Sequence, residues 1–567
     1  MPNTNRIYDS YYSQYDNIES DSRWAEEDEI KDCLTQIAFE SPEIPEAGIP
    51  CISNGKSVWI DTSDNHSIAI GQSGSKKSRN IVFPQTLLHI KSGESMIITD
   101  FKGEIFDLTS GYAQQMGYKI YVLNLRDPNH SHRWNPFLEP WRLLHEDHNL
   151  DGARELINDF MNDVFGEFSK VDRYWEDMAM RLGMGLCDVL LFCATREEAT
   201  IKSLIYLRSA GLNMDGKGFL VEVTRQLRKD SFTYSNLNSV FTTPDRTCAC
   251  IISTFDSKMR LFTAQPNITE LFSGSDFDIK TFGDEKSILY LITPDEKTTY
   301  SMLISNFVHQ AYSILISHAT ALPERKLARR VNFILDEFAQ LPYIKDFPSA
   351  ITAARSRNIR FTLCVQSMHQ LIATYNDDAE TILGNMGNTI FLNSRELPLL
   401  QRIADLCGKD KYGNYLISPS RLQRLRNKDK GEALIMIGSC YPFITHLADI
   451  SDYDFNPDDY PPVMLPERSE NKSALLDIIK IGRKIEWIND PECRFEGESP
   501  KKSASTTPPQ TPRTSTYSAT VPHLIPHEEP KLYTLPDDKL NSFHQLFKSE
   551  DDDDTGDDDD TGDDDTN

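Results

Sequence analysis

The sequence predicts an α/β fold, a doubly wound and mostly parallel sheet, with an all-helical insertion and a disordered acidic tail. Three observations lead there. Short apolar runs bounded by turn residues recur along the chain, helical stretches separate most of them, and one such run opens directly into a glycine-rich loop.

Residues 1–45 read as an acidic, flexible lead-in with neither a signal peptide nor an anchor. Residues 46–143 carry the first part of a nucleotide-binding domain. In it "SIAIG" enters the loop, a helix starts near Lys77, and "SMIITD" (95–100) and "KIYVLNL" (119–125) suit buried parallel strands. Residues 144–280 change character. "LDGARELINDFMNDVFGEF", "YWEDMAMRLGMGLCDVLLFCA" and "SLIYLRSA" have helical periodicity, which predicts an inserted all-α domain.

Strand signals return over residues 281–465, the second part of the nucleotide-binding domain. They are "SILYLIT" (287–293), "RVNFILDEF" (330–338), "IRFTLCVQS" (359–367), "NTIFLNS" (388–394) and "EALIMIG" (432–438), with helices expected over 298–318 and 344–357. From 466 to 567 a Ser/Thr/Pro-rich linker leads to an apolar island, "LNSFHQLFKS" (540–549), and then to an Asp run.

Charge narrows the function classes. The chain has 86 acidic against 59 basic residues, a net charge of −27, and it remains acidic without the tail "EDDDDTGDDDDTGDDDTN". That argues against a simple electropositive nucleic-acid binder but leaves room for a local basic channel. The ten cysteines are scattered without zinc spacing, which predicts reduced thiols in a cytosolic protein. Cys248 and Cys250 offer two ligands where a structural zinc site takes about four. No run reaches the ~18 apolar residues of a membrane helix.

The chemistry gathers at "AIGQSGSKKSRN", residues 69–80. A phosphate-binding loop reads G-x-x-x-x-G-K-[ST], because backbone N–H groups at a helix N-terminus cradle phosphate, the lysine reaches the β- and γ-phosphates, and the hydroxyl binds Mg²⁺. Gly71, Gln72, Ser73, Gly74, Ser75, Lys77, Ser78 and Arg79 fit that loop, and Lys76 stands where its second glycine belongs. An ordinary Gly/Ser turn is the competing reading. In "VNFILDEFAQLP" an apolar strand ends in Asp336 and Glu337, one to hold Mg²⁺ with Ser78 and the other to polarise water. As a plain alternative, they are two solvated acids at a strand exit. Gln366 ends a further strand, as a γ-phosphate sensor or simply a loop residue. Together the three elements place ligand chemistry at sheet ends, where α/β folds bind ligands.

The loop, "IITDFKGEIFDLT", "NLRDPNHSHRWNPF", "ILDEFAQLP" and "SRNIRFTLCVQS" together resemble the type IV coupling proteins of the TraG/VirD type. The resemblance covers roughly residues 55–460 in the family's order, and implies a RecA-like P-loop NTPase domain in a hexameric ATPase of conjugation. Such proteins receive relaxase–DNA substrate and pass it to a type IV secretion channel. By position it implies ATP and Mg²⁺ as cofactors, Lys77, Glu337 and Gln366 as catalytic residues, and Ser78 and Asp336 as the Mg²⁺ ligands. It also implies a trans-acting arginine, for which Arg355, Arg357 and Arg360 are candidates. "DFKGE" (100–104) matches a "DPKGE" signature with Phe101 in place of proline.

Two departures stand out. Family members usually begin with one or two membrane helices, so a cytoplasmic protein at the inner face of the membrane, with a separate membrane subunit, is expected here. Lys76 puts turnover in question. The leading expectation is a DNA-translocating or substrate-recruiting ATPase that binds single-stranded DNA and relaxase as a homo-hexamer. The alternative is a receptor that binds nucleotide without efficient hydrolysis. The Asp run is either a solvating tail or an interaction segment that binds basic relaxase surfaces or competes with DNA.

Overall fold

A computed structural model describes residues 22–165, 173–214, 216–294, 298–410, 412–427, 431–438, 440–468 and 474–490. The apolar island at 540–549 and the Asp run lie outside the described residues, as does most of the Ser/Thr/Pro-rich segment.

The strands are β1 (Thr35–Ala38), β2 (Ile49–Ser53), β3 (Ser57–Asp61), β4 (His66–Gly71), β5 (Ser95–Asp100), β6 (Lys119–Asn124), β7 (Ser287–Ile292), β8 (Val331–Leu335), β9 (Ile359–Val365), β10 (Met386–Asn393), β11 (Glu432–Ile437) and β12 (Cys440–His446). Nine form one sheet in the order β12-β11-β10-β4-β9-β8-β5-β7-β6. From β10 to β6 every neighbouring pair is parallel, whereas β11 and β12 close one edge as an antiparallel hairpin. All eight apolar runs read as strands of this sheet are present. β12 is the addition; only Phe443 is buried in it and the rest is intermediate or exposed, so it lacks the continuous apolar run that marks a buried strand.

β4, β5, β7, β8 and β9 are buried at every residue, as strands covered on both faces must be. The period of two sends alternate side chains to opposite cores. Ile97, Leu289 and Leu291 pack into one cluster with the helical region, while Met96, Ile98, Ile288 and Tyr290 pack into the other with Leu87, Leu88 and Ile90.

Between β6 and β7 the described residues are helical, from Leu138–His145 through Pro266–Leu271. Tyr174–Cys193 is the central helix of this region, with Leu182 through Cys193 buried without interruption. No helix among the described residues is long and apolar enough to cross a membrane.

The flexible lead-in needs correction where it is described. Glu27–Cys33 is a helix, and β1 pairs antiparallel with β3 in a separate three-stranded sheet, β1-β3-β2. Leu34, Ile37, Phe39 and Ile44 are buried in the same apolar cluster as β4 residue Ala69. Acidic composition hid these four apolar anchors. Residues 474–490, read as linker, also pack: Lys484 Nζ donates to the Cys193 carbonyl at 2.6 Å, and Ile481 and Ile488 are buried.

Candidate active site

β4 delivers the chain into a loop whose shape depends on small residues at two positions. A Cβ on Gly71 would lie 2.5 Å from Ser75 Oγ, and Gly74 adopts φ 72°. Lys76 also takes a left-handed φ, 64°, the conformation that explains why glycine is usual there. The chain then winds through Ser78–Val82 as a π-turn into the helix Phe83–Ser92, so the helix begins where the sequence placed it.

Lys77 is buried and its Nζ donates to the Gly71 carbonyl, inside the loop. Ser78 Oγ donates to Asp336 Oδ2 at 3.0 Å. Asp336 is anchored in turn: Thr99 Oγ1 donates to its carbonyl at 2.9 Å. Glu337 sits at φ 55°, its N–H donating to Asp336 Oδ1 at 3.1 Å. Gln366 Nε2 donates to both Glu337 carboxylate oxygens, and Gln340 Nε2 donates to Oε2 at 2.8 Å. Since β9 lies between β4 and β8, the loop, the two acids and the glutamine converge at adjacent C-terminal strand ends.

Burial pushes the Asp336 carboxyl upward and the Glu337 charge adds to it, while Lys77 and the Ser78 hydroxyl oppose. Asp100, at the end of β5, is likewise raised by burial, to about 6, despite accepting from Gly103 N at 2.8 Å and Phe106 N at 2.9 Å. Those two bonds give the "DFKGE" turn its job. They shape the entry to the helix Glu104–Gln115 and hold a second carboxyl close enough for the Asp336 charge to raise it further.

Three further residues brace the loop. Asn427 Nδ2 donates to the Ser75 carbonyl at 2.7 Å and its Oδ1 accepts from Asn393 Nδ2 at 2.9 Å, while Asn393 Oδ1 accepts from Gln72 N at 3.3 Å. Asp449 takes Lys76 Nζ at 3.1 Å and Arg79 Nε at 3.0 Å. The Arg79 guanidinium holds that carboxyl well below the usual range. Sequence reasoning missed all three. Asn393 closes a recognised strand, but Asn427 and Asp449 follow no local pattern.

Of the arginine candidates, Arg355 is exposed, and Arg357 Nη1 donates to the Ala353 carbonyl at 2.9 Å. Arg360 must be withdrawn as a trans-acting group. It is buried, and donates to Asn332 Oδ1 at 2.9 Å, the Ala47 carbonyl at 3.0 Å and Glu94 Oε2 at 3.1 Å. All three precede or begin β9, at the strand's N-terminal end, opposite the C-terminal end that leads to Gln366. Cys248 is buried and Cys250 exposed, and neither is joined in a disulfide.

The loop fits a nucleotide triphosphate with Mg²⁺. Ser75 Oγ is a buried polar atom with no hydrogen-bond partner inside the loop, and Ser78 and Asp336 already present two oxygens to one point.

Residues 23–419 match the family model described as Type IV secretory system Conjugative DNA transfer. The chain is 24% identical over 431 residues to Protein VirD4 of Rhizobium radiobacter, covering 73% of this chain and 59% of that protein. It is 26% identical over 324 residues to Conjugal transfer protein TraG of Escherichia coli, covering 54% and 48%. The chain thus spans about half to three-fifths of the length of these relatives. Among solved structures, the plasmid coupling protein TrwB in complex with the ATP analogue ADPNP superposes with a TM-score of 0.53 at 13% identity, over 80% of this chain and 96% of TrwB. TrwB in complex with ADP and Mg²⁺ gives 0.51 at 15%, over 68% and 85%. At such identities the likeness speaks for the fold alone. With its family model matched over most of its length, this chain belongs to the type IV secretory system conjugative DNA transfer family.

Proposed function

We propose that the chain is an ATP-hydrolysing coupling protein of a conjugative type IV secretion system. The observation that carries this reading is the convergence of Lys77, Ser78, Asp336, Glu337 and Gln366 at the ends of β4, β8 and β9, linked by the Ser78–Asp336 and Gln366–Glu337 hydrogen bonds. TrwB, similar in fold, is known with ADPNP and with ADP and Mg²⁺. ATP and Mg²⁺ are the corresponding cofactors here.

Each residue then has a task. The loop from Gly71 to Arg79, Gln72, Ser73, Gly74, Ser75 and Lys76 included, cradles phosphate through backbone N–H groups, and Lys77 leaves the Gly71 carbonyl to neutralise phosphate oxygens. Ser78 and Asp336 would hold Mg²⁺, which would supply positive charge to offset that of the phosphates. Glu337 orients and deprotonates the attacking water, and Gln366 holds the Glu337 carboxylate until the γ-phosphate replaces that contact. Arg355 or Arg357 of a neighbouring copy supplies the trans charge in a homo-hexamer. Relaxase with single-stranded DNA is the cargo, and the secretion channel the acceptor. The protein works in the cytoplasm at the inner face of the membrane, with a separate membrane subunit.

A second reading is a receptor that binds nucleotide without efficient hydrolysis. It is favoured by one observation, the left-handed Lys76 engaged by Asp449 at the edge of the loop. ATP turnover with Mg²⁺, with and without single-stranded DNA, separates the two. Stimulated turnover that vanishes in Lys77→Ala and Glu337→Gln supports the motor. Bound nucleotide without turnover in the wild type and in Lys76→Gly alike would move the assignment to the receptor.

A further inference from the structure

A second cluster of chemistry-bearing side chains shares no residue with the nucleotide site. Asp159, on the helix Leu150–Phe165, His309, on Ser301–Ala321, and Asp346, at the start of Phe347–Ala354, bring one ligand atom each to within 4.8 Å of one another. All three line a cavity of about 730 Å³.

The histidine is the informative member. Its side chain is 2% exposed, and Nδ1 faces Asp163 Oδ2 at 3.0 Å. Asp163 is itself buried and accepts from Asn306 Nδ2 at 2.8 Å. A carboxylate holding one imidazole N–H fixes the ring and turns the other nitrogen's lone pair outward, as around metal-ligating histidines. That nitrogen, Nε2, has no hydrogen-bond partner among the described residues; it faces Asp159 Oδ2 at 3.7 Å. Asp346 reaches the cluster from a left-handed backbone, φ 58°. Lys345 is the resident cation, 3.1 Å from Asp159 Oδ1 and 3.7 Å from Asp346 Oδ2, and its side chain is 37% exposed, free to swing into solvent.

We propose that Asp159, His309 and Asp346 bind one divalent transition-metal cation of the zinc class, with Asp163 orienting His309 and the Lys345 ammonium as the competing cation. One imidazole and two carboxylates suit zinc better than the all-oxygen sites of magnesium or calcium. Three protein ligands leave a position open to the cavity. Ligands about 2.0–2.2 Å from a common zinc stand roughly 3.3–3.5 Å apart, so closure by about an ångström completes the site. The metal would join the helical insertion, through Asp159, to two helices that flank the sheet.

The test is zinc binding by the full chain after chelator stripping and without nucleotide, read by equilibrium dialysis with metal analysis and by the shift in melting temperature. One zinc ion per chain is expected. Asp346→Asn, an exposed change that spares folding, should weaken it at least tenfold, and His309→Gln should abolish it. Lys345→Gln should tighten it severalfold, which a purely structural ion-pair cluster would not do. Zinc binding unchanged by Asp346→Asn and Lys345→Gln would assign the metal to cysteines and overturn the proposal, as would no binding at all.

Discussion

Lys76 Nζ lies 3.1 Å from Asp449 Oδ2, and the same carboxylate receives Arg79. The residue that stands where the loop pattern has a glycine therefore keeps the backbone shape glycine would supply and is tethered from outside the loop. Asp449 is itself organised, accepting at Oδ1 from Ser451 N at 3.2 Å and Ser451 Oγ at 2.9 Å. The tether explains how a lysine is tolerated at φ 64°.

Lys76→Ala and Lys76→Gly should separate backbone from side chain. Both lose the partly exposed ion pair, worth about 0.2–1 kcal/mol. Only alanine keeps the left-handed penalty, so the glycine variant should be the more stable by about 1 kcal/mol in denaturant unfolding. Equal stabilities would contradict the positive φ.

Glu337→Gln should lower ATP turnover by about 10²–10⁴-fold, the range of a lost general base, while nucleotide binding stays within a fewfold of wild type. Single-turnover measurement beside a binding titration tells the two apart. Turnover near the wild-type rate would remove Glu337 from the reaction.

Asn427→Ala strands the Ser75 carbonyl and the Asn393 amide, both in the loop's buried brace. The loss should be about 1–3 kcal/mol of stability, with a weaker affinity for ADP. An unchanged ADP affinity would mean that the brace serves folding alone.

His66 sets an acid limb. Its Nε2–H donates to the Ile351 carbonyl at 2.7 Å and its Nδ1 accepts from Phe361 N at 3.0 Å, so both nitrogens are committed to the neutral ring. Burial lowers its pKa to about 4, below the unfolded value near 6.5. The unfolded chain then binds the extra proton, and stability present above pH 6.5 is lost as pH falls towards 4, by about 2 kcal/mol at pH 5. His66→Gln should be less stable at pH 8 but show a shallower decline. A parallel decline in both proteins would rule His66 out as the cause.

Arg360→Ala removes a buried charge from Glu94 and should cost about 3–5 kcal/mol. Arg355→Ala, at an exposed site, should stay within about 0.5 kcal/mol. If Arg355 serves a neighbouring copy, its variant alone should lose turnover at unchanged stability.

The strands were readable because each is a short apolar run, buried at every residue in β4, β5, β7, β8 and β9, and because the residues at their ends are chemically distinct. Lys77, Ser78, Asp336, Glu337 and Gln366 could be picked out for that reason. The N-terminal strands and β12 were not readable. β1 is exposed at all but Ile37, and β12 is an edge strand with one buried residue, so neither carries a strong period. Arg360 looked like its neighbours Arg355 and Arg357 until β9 turned it inward.

By itself the sequence determined the order of eight strands of the main sheet and of the helices between them, the glycine-rich loop after β4 and the acids after β8, since these depend on local periodicity and on residue types at fixed spacing. The tertiary structure alone decided which residues support them. Asn427 reaches Ser75 across 352 positions and Asp449 reaches Arg79 across 370. Contacts at such separations follow from which strand lies beside which, and the sheet order is set by packing both apolar faces at once rather than by any stretch of chain.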